Sequence, residues 1–184
     1  MIRFPRALAA LLLCAASLSA YAQPAAVPDS VYEVLRAEAG TWDAEVTFFS
    51  GGKPSGSTKG VQVNALLLNG HWIVNEFRIA KSEQYPAYEG HGMWGYDPIA
   101  KTYVDTWIDT NDGAVRTAYG YWHEAEKTMA WSAKQPDGQG RFVDYRFNVE
   151  YKDKDTRLYT FWQLGLVRPT QFIRLQILFK RRPA

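Results

Sequence analysis

Residues 89–109 read EGHGMWGYDPIAKTYVDTWID, and this stretch decides the fold of the chain. A glycine-rich segment and an aromatic segment flank residues 97–101, whose sequence DPIAK is typical of a turn. The two segments therefore predict an antiparallel hairpin of strands 88–96 and 102–110. A turn over residues 98–101 sets these pairs opposite each other: Tyr96 and Tyr103, Trp94 and Asp105, Gly92 and Trp107, and Gly90 and Asp109.

Large rings and two acids share one face of this hairpin. Six residues make up that face: Trp94, Tyr96, Tyr103, Trp107, Asp105 and Asp109. The glycines opposite Trp107 and Asp109 leave room for a ring to lie across the neighbouring strand. A ligand pocket uses aromatic area with a few orienting polar groups, so we predict that these six residues line a pocket. A slip of one residue at the turn would instead put both acids in solvent.

The rest of the chain after residue 41 alternates with period two and is cut by turn residues. The predicted strands are residues 42–50, 60–68, 72–81, 88–96, 102–110, 114–123, 128–135, 141–151, 157–166 and 171–180. Short connections favour an all-β fold, an antiparallel up-and-down β-barrel of about ten strands after one short helix. Such a barrel has no edge strands, and its interior has room for one small ligand. A two-sheet sandwich with a solid core is the alternative.

The strand at residues 72–81 places an acid and a base on one face. Glu76 and Arg78 share that face with Trp72, opposite an apolar face that carries Phe77. One interpretation sends Glu76 and Arg78 into a semi-polar cavity, where they would orient the polar end of a ligand. The other makes them an ion pair on the surface.

The predicted helix precedes the first strand and ends at Gly40. Residues 30–33, Ser-Val-Tyr-Glu, have the form of a capping box, and Val31, Val34 and Leu35 lie on one helical stripe. We expect this helix to plug or cap one end of the barrel. Trp42 would pack under it against an arginine of the last strand, Arg174.

The N-terminus has the features of a secretory signal peptide. Arg3 and Arg6 precede an apolar run at residues 7–16, and residues 20–22 form an Ala-Tyr-Ala cleavage site. The apolar run is shorter than the ~20 residues of a spanning helix. The sequence thus divides into a signal peptide (1–22), a linker (23–28) and one barrel domain (29–182). It predicts a periplasmic or secreted protein without a membrane span in its mature form.

Cleavage after Ala22 changes the composition of the protein. The mature chain keeps 162 of the 184 residues and loses Arg3, Arg6 and Cys14, which leaves 19 basic residues, 19 acidic residues and no cysteine. An exported chain without cysteine has no disulfide framework. A net charge of zero argues against a nucleic-acid partner, because such proteins usually carry a basic excess.

Catalytic motifs are absent from the sequence. It has no nucleophile elbow, phosphate-binding glycine loop or zinc-protease motif, and its three histidines, at positions 71, 91 and 123, have no metal-ligand spacing. We therefore expect no cofactor and no metal, and a small apolar or amphipathic molecule as the partner. The alternatives are an isomerase or hydrolase that uses Asp109 or His91 as a base, and a structural barrel filled by its own side chains.

Three segments carry a resemblance to a known family. They are Gly40-Thr41-Trp42, residues 68–77 (LNGHWIVNEF), and residues 90–97 (GHGMWGYD) followed by 103–109 (YVDTWID). Together they resemble a family of bacterial proteins catalogued as domain of unknown function 1579. The resemblance implies a secreted lipocalin-like or fatty-acid-binding-like β-barrel. It implies no reaction, because none is assigned to that family.

Overall fold

The computed structural model describes residues 27–136, 139, 141–164 and 171–183. The predicted signal peptide and residues 23–26 of the predicted linker lie outside these residues. Within them, one α-helix, α1 (Ser30–Glu38), precedes ten strands that pair antiparallel with their neighbours in the chain. The strands are β1 (Gly40–Ser50), β2 (Lys53–Leu67), β3 (Trp72–Ile79), β4 (Tyr88–Asp97), β5 (Thr102–Asp109), β6 (Arg116–His123), β7 (Thr128–Pro136), β8 (Phe142–Asp153), β9 (Thr156–Leu164) and β10 (Gln171–Arg181).

The first strand closes the sheet by pairing on both sides. β1 pairs with β2 along one edge and with β10 along the other, where Trp42 lies opposite Arg181 and Val46 opposite Ile177. The result is a closed barrel in which the chain runs up and down in sequence order. The prediction of an antiparallel up-and-down barrel is confirmed, and the sandwich alternative is wrong.

The largest error in the predicted strand bounds concerns β2. It begins at Lys53, although the glycine- and serine-rich composition of residues 51–56 predicted a loop up to Gly60. Gly51 and Gly52, with φ of 57° and 76°, complete the turn alone. The following residues continue the ladder with β1, because two long strands that pair side by side satisfy backbone groups whatever the local composition.

The start of α1 also differs from the prediction, while its end agrees. Asp29 is the N-cap residue and makes no side-chain capping bond; its carboxylate instead binds Arg36 at 2.7 Å, so the predicted capping box is wrong. The helix ends at Glu38, and Gly40, with φ of 119°, leads into β1. Val34 and Leu35 are buried, which confirms the apolar stripe.

Trp42 of β1 connects α1 with the last two strands, β9 and β10. Its ring lies between the guanidinium groups of Arg157 and Arg181, 4.3 and 4.0 Å from the ring centroid. Its Nε1 donates to the carbonyl oxygen of Glu38 at 2.9 Å. The expected arginine of the last strand is therefore Arg181; Arg174 was the wrong choice, because the register of β1 and β10 places it near the opposite end of the strand.

A buried ion pair lies beside Trp42. The carboxylate of Glu38 contacts the guanidinium of Arg157, and their side chains are only 2% and 5% exposed. Asn64 donates to Glu38 Oε2 at 3.1 Å, and Arg157 donates to Gln62 Oε1 at 2.6 Å. These hydrogen bonds matter because two dehydrated charges are stable only when they are also well bonded. The pair fixes the end of α1 onto β2 and β9.

We predict that Arg157→Met lowers the free energy of unfolding by about 3–5 kcal/mol, because it leaves the Glu38 carboxylate buried without its partner. Urea denaturation of the mature chain measures the change. Arg182→Met is the matched control: it removes the exposed pair of Arg182 with Asp43 and should cost at most about 1 kcal/mol. Adding Glu38→Gln to Arg157→Met should recover part of the loss. Equal losses in both single variants would contradict the assigned role.

Candidate functional site

The β4–β5 hairpin has the predicted register. Tyr96 lies opposite Tyr103, Trp94 opposite Asp105, Gly92 opposite Trp107 and Gly90 opposite Asp109. A Cβ added at Gly90 or Gly92 would come within 2.2 or 2.5 Å of the Trp107 ring. The ring therefore lies flat across β4, in space that any larger residue would occupy.

Three of the six predicted pocket residues pack in the half of the barrel next to α1. Trp94 and Tyr103 are buried, and Trp94 meets Trp131 edge to face at 5.6 Å. The hydroxyl of Tyr103 donates to the carbonyl oxygen of Val31 in α1 at 2.7 Å, and the ring of Tyr96 packs on Tyr103 at 5.2 Å. These rings fill the core and hold the helix.

Asp109 lies in the other half of the barrel and is fully hydrogen-bonded. Its Oδ2 accepts from the hydroxyl of Tyr88 at 3.1 Å, from Nε1 of Trp107 at 3.2 Å and from Arg116 at 3.3 Å. Its Oδ1 accepts from the backbone N–H of Asn111 at 2.9 Å, and the side chain is 7% exposed. Asp109 therefore organises the wall of the site and is not free to bind a ligand through Oδ2.

Asp105 contrasts with Asp109. It points inward from the same strand, yet among the described residues no hydrogen bond or ion pair reaches its carboxyl group. Burial raises the pKa of Asp105 to about 8. Burial also raises the pKa of Tyr145, to about 12, and that of Tyr159, and the charge of Asp105 adds to both shifts. The charge of Asp105 therefore acts on two phenol groups of strands β8 and β9.

The inward-facing side chains around Asp105 are not all fully buried. Several inward-facing side chains in this half of the barrel are only partly buried: Asp105, Trp107, Tyr159, Phe161 and Leu175. The interior next to Asp105 therefore combines partly buried aromatic side chains with an acid that no described residue binds. We call it the Asp105 chamber.

Glu76 and Arg78 are not part of this chamber. Their side chains lie on the outer face of β3, 41% and 57% exposed, and pair with each other at 3.1 Å. Arg78 also pairs with Glu89 at 3.3 Å, and Nε2 of His91 contacts Glu89 at 2.8 Å on the same outer face. The surface interpretation of this pair is confirmed. The structure does not bring Glu76 or Arg78 to the other predicted pocket residues.

The sequence analysis missed four inward-facing residues of this half: Tyr88, Arg116, Tyr145 and Tyr159. Tyr88 and Trp94 are an even number of residues apart in β4, so their side chains point to the same face of the strand. Alternation alone would therefore have placed Tyr88 on the pocket face. Arg116 lies opposite Trp107 on the neighbouring strand β6. Tyr145 and Tyr159 come from β8 and β9, and their approach to β5 depends on the closure of the barrel.

Two concave regions lie away from Asp105. A cleft of about 540 Å³ lies between α1 and the side chains at that end of the barrel; it is lined by Tyr96 and Tyr103 of the predicted pocket and by Val34, Trp122 and Tyr151, among others. A groove of about 430 Å³ crosses the outer face of β6–β9.

The described residues contain no group of three or more His, Cys, Asp and Glu side chains placed to hold a metal ion. None of the described helices is long and apolar enough to cross a membrane.

Fold and site together define a closed antiparallel β-barrel with a helix at one end and an acid in a partly open interior. The chain belongs to the family described as "Protein of unknown function (DUF1579)", whose profile matches residues 27–166. No curated protein matches the chain.

Solved structures support the fold alone. The crystal structure of Rv2717c from M. tuberculosis is 10% identical in sequence, with a TM-score of 0.59, and the match covers 85% of this chain and 99% of that chain. A redesigned β-barrel, b11L5F_LGL, is also 10% identical, with a TM-score of 0.39, and the match covers 83% of this chain and 96% of that chain. The second score is too low to carry an argument.

We predict that Asp105 makes the protein less stable as pH rises from about 4 to 8. Over this range the unfolded chain releases the Asp105 proton, while the folded chain keeps it because burial raises the pKa to about 8. Relative to wild type, Asp105→Asn should gain at least about 1.4 kcal/mol of stability across the range, the equivalent of one pKa unit. Urea denaturation at a series of pH values measures this gain. A constant difference between the two proteins, or a carboxyl NMR titration near the value of free aspartate, would contradict it.

Proposed function

We propose that the protein is an exported carrier that binds a small apolar or amphipathic molecule in the Asp105 chamber. The observation that supports it is the partial exposure of inward-facing side chains around an acid that no described residue binds. Rings such as Trp107 and Phe161 supply apolar contact area, worth about 25 cal/mol for each Å² removed from water. Asp105 would orient the polar end of the molecule.

The wall of the chamber is ordered before any ligand arrives. Nε1 of Trp107 donates to Tyr88 and Asp109 at 3.2 Å, and the ring rests against the glycines of β4. A side chain that is already held in place loses little freedom on binding, which favours affinity. This order supports a preformed binding site, with Trp107 as its central contact.

A second candidate function is acid–base catalysis, and Asp105 is the residue that favours it. Its pKa of about 8 lies near neutral pH, where a general acid or base works best. Asp109 is occupied by its donors and His91 lies on the outer face, so neither suits a base that acts inside the barrel. If the protein is an enzyme, Asp105→Asn should abolish turnover of a bound substrate while the substrate still binds. Retained turnover in that variant would exclude Asp105 as the base.

We predict that native mass spectrometry of protein purified from its own periplasm without detergent shows an adduct of fixed mass that solvent extraction removes. Trp107→Ala should lower the adduct fraction by at least about tenfold, because truncating a central aromatic contact costs 1.4 kcal/mol or more of binding. Trp107→Phe, which keeps the ring area, should retain more of it.

Trp162→Ala is the matched control for that experiment, since Trp162 lines the groove on the outer face. It should leave the adduct fraction unchanged. Melting temperatures of all variants separate binding from folding. A loss of adduct in Trp107→Ala that only follows its loss of stability would mean that Trp107 is a core residue, and wild-type protein without any adduct would count against a carrier.

Export is the other part of the proposal, and the features of residues 1–22 support it. We predict that the chain recovered from the periplasm or the medium begins at Gln23, because cleavage follows Ala22. Intact-mass measurement and N-terminal sequencing check this result. A chain that begins at Met1 and stays in the cytoplasmic fraction would contradict export.

A further inference from the structure

We infer that the molecule bound in the Asp105 chamber is an organic cation, an amine attached to an apolar body, with its ammonium group against the Asp105 carboxylate. This inference rests on the proposed function and names the class of its ligand. Three features carry it: the charge balance of the chamber, the lack of a partner for Asp105 in the described part of the chain, and the aromatic walls.

The charges in the chamber leave one acid in excess. Among the described residues, the cationic side chain near the Asp105 chamber is Arg116. It is already bound to Asp109 at 3.3 Å and to Asp112 at 2.5 Å. Asp105 receives no share of that guanidinium. The other titratable groups facing this interior from neighbouring strands are phenols: Tyr88 of β4, Tyr145 of β8 and Tyr159 of β9.

A buried carboxylate without a partner is unfavourable, and a cation would offset this cost. A ligand with a carboxylate or phosphate head would meet the like charges of Asp105 and Asp109. An ammonium group would meet an opposite charge and, in addition, the faces of aromatic rings, which attract cations. Trp107, Tyr145, Tyr159 and Phe161 supply such rings on β5, β8 and β9.

Binding of a cation should depend on pH in a defined direction. Burial raises the pKa of Asp105 to about 8, so most of the carboxyl groups are protonated at pH 6. An ammonium group favours the ionised form, so its binding must release this proton. Affinity for an amine therefore rises as pH increases from 6 to 8. A ligand that accepts a hydrogen bond from the protonated acid would show the opposite trend.

The test compares three probes of equal chain length: n-octylamine, 1-octanol and octanoate. Each displaces the uncharged fluorophore N-phenyl-1-naphthylamine from the mature, delipidated protein at pH 6 and pH 8. We expect octylamine to bind at least about tenfold more tightly than octanol at pH 8, with octanoate the weakest, and this advantage to shrink at pH 6. Asp105→Asn should abolish the advantage of octylamine over octanol.

Glu76→Gln is the control variant, because it removes a carboxylate on the outer face of the barrel. It should leave all three affinities unchanged. If Asp105→Asn does not fold, calorimetry of wild-type protein in two buffers of different ionisation enthalpy replaces it. Octylamine binding at pH 7 should then release close to one proton, whereas octanol binding should release none.

The outcomes separate the inference from the proposed function. Equal affinities for octylamine and octanol, or an amine advantage that survives Asp105→Asn, would overturn the inference and leave a carrier of neutral molecules. Tightest binding of octanoate at pH 6 would overturn it as well, since Asp105 would then act as a neutral donor. If neither the fluorophore nor any probe binds, both the inference and the proposed function fail.

Discussion

The structure depends on the closure of β1 onto β10, and the stacking of Trp42 between Arg157 and Arg181 secures that seam. Arg181 also donates to the carbonyl oxygens of Ala37 and Ala39, so the same contact orients the end of α1. Without closure the sheet would have two exposed edges and no interior. The inside of the barrel, and every residue that faces it, is defined by this contact between the two ends of the chain.

The interior has two halves with different packing. Next to α1, large rings meet small residues: Gly120 lies under Trp131, where an added Cβ would come within 2.5 Å of the ring, and Trp131 packs on Trp94. These contacts form a packed core cluster that also includes Tyr32, Val34 and Leu35 of α1. The other half contains Asp105, which is partly exposed and has no described partner, at a cost in stability that a purely structural core would avoid. This difference between the halves supports the proposal that a ligand binds next to Asp105.

The sequence predicted the fold well where a short-range rule decides the structure. Period-two alternation and a four-residue turn determine which residues of a hairpin face each other, so the register from Tyr96–Tyr103 to Gly90–Asp109 is correct. The prediction of strand bounds failed at residues 53–59 of β2. Their composition predicted a loop, but they pair with β1 and extend the strand. The prediction also failed at the start of α1, because Arg36 takes the Asp29 carboxylate and Ser30 already lies inside the helix.

The sequence by itself determined the strand order and the barrel class, because both follow from residues close together in the chain. It favoured an inward direction for Trp107 and left the direction of Asp105 and Asp109 open. It named Asp109, and not Asp105, as a candidate base. Only the tertiary structure separates them: Asp109 receives Tyr88 from β4 and Arg116 from β6, whereas no described donor reaches Asp105. Hydrogen bonds need their donors within about 3 Å and correctly aimed, and the pairing of β5 with β4 on one side and β6 on the other sets those positions.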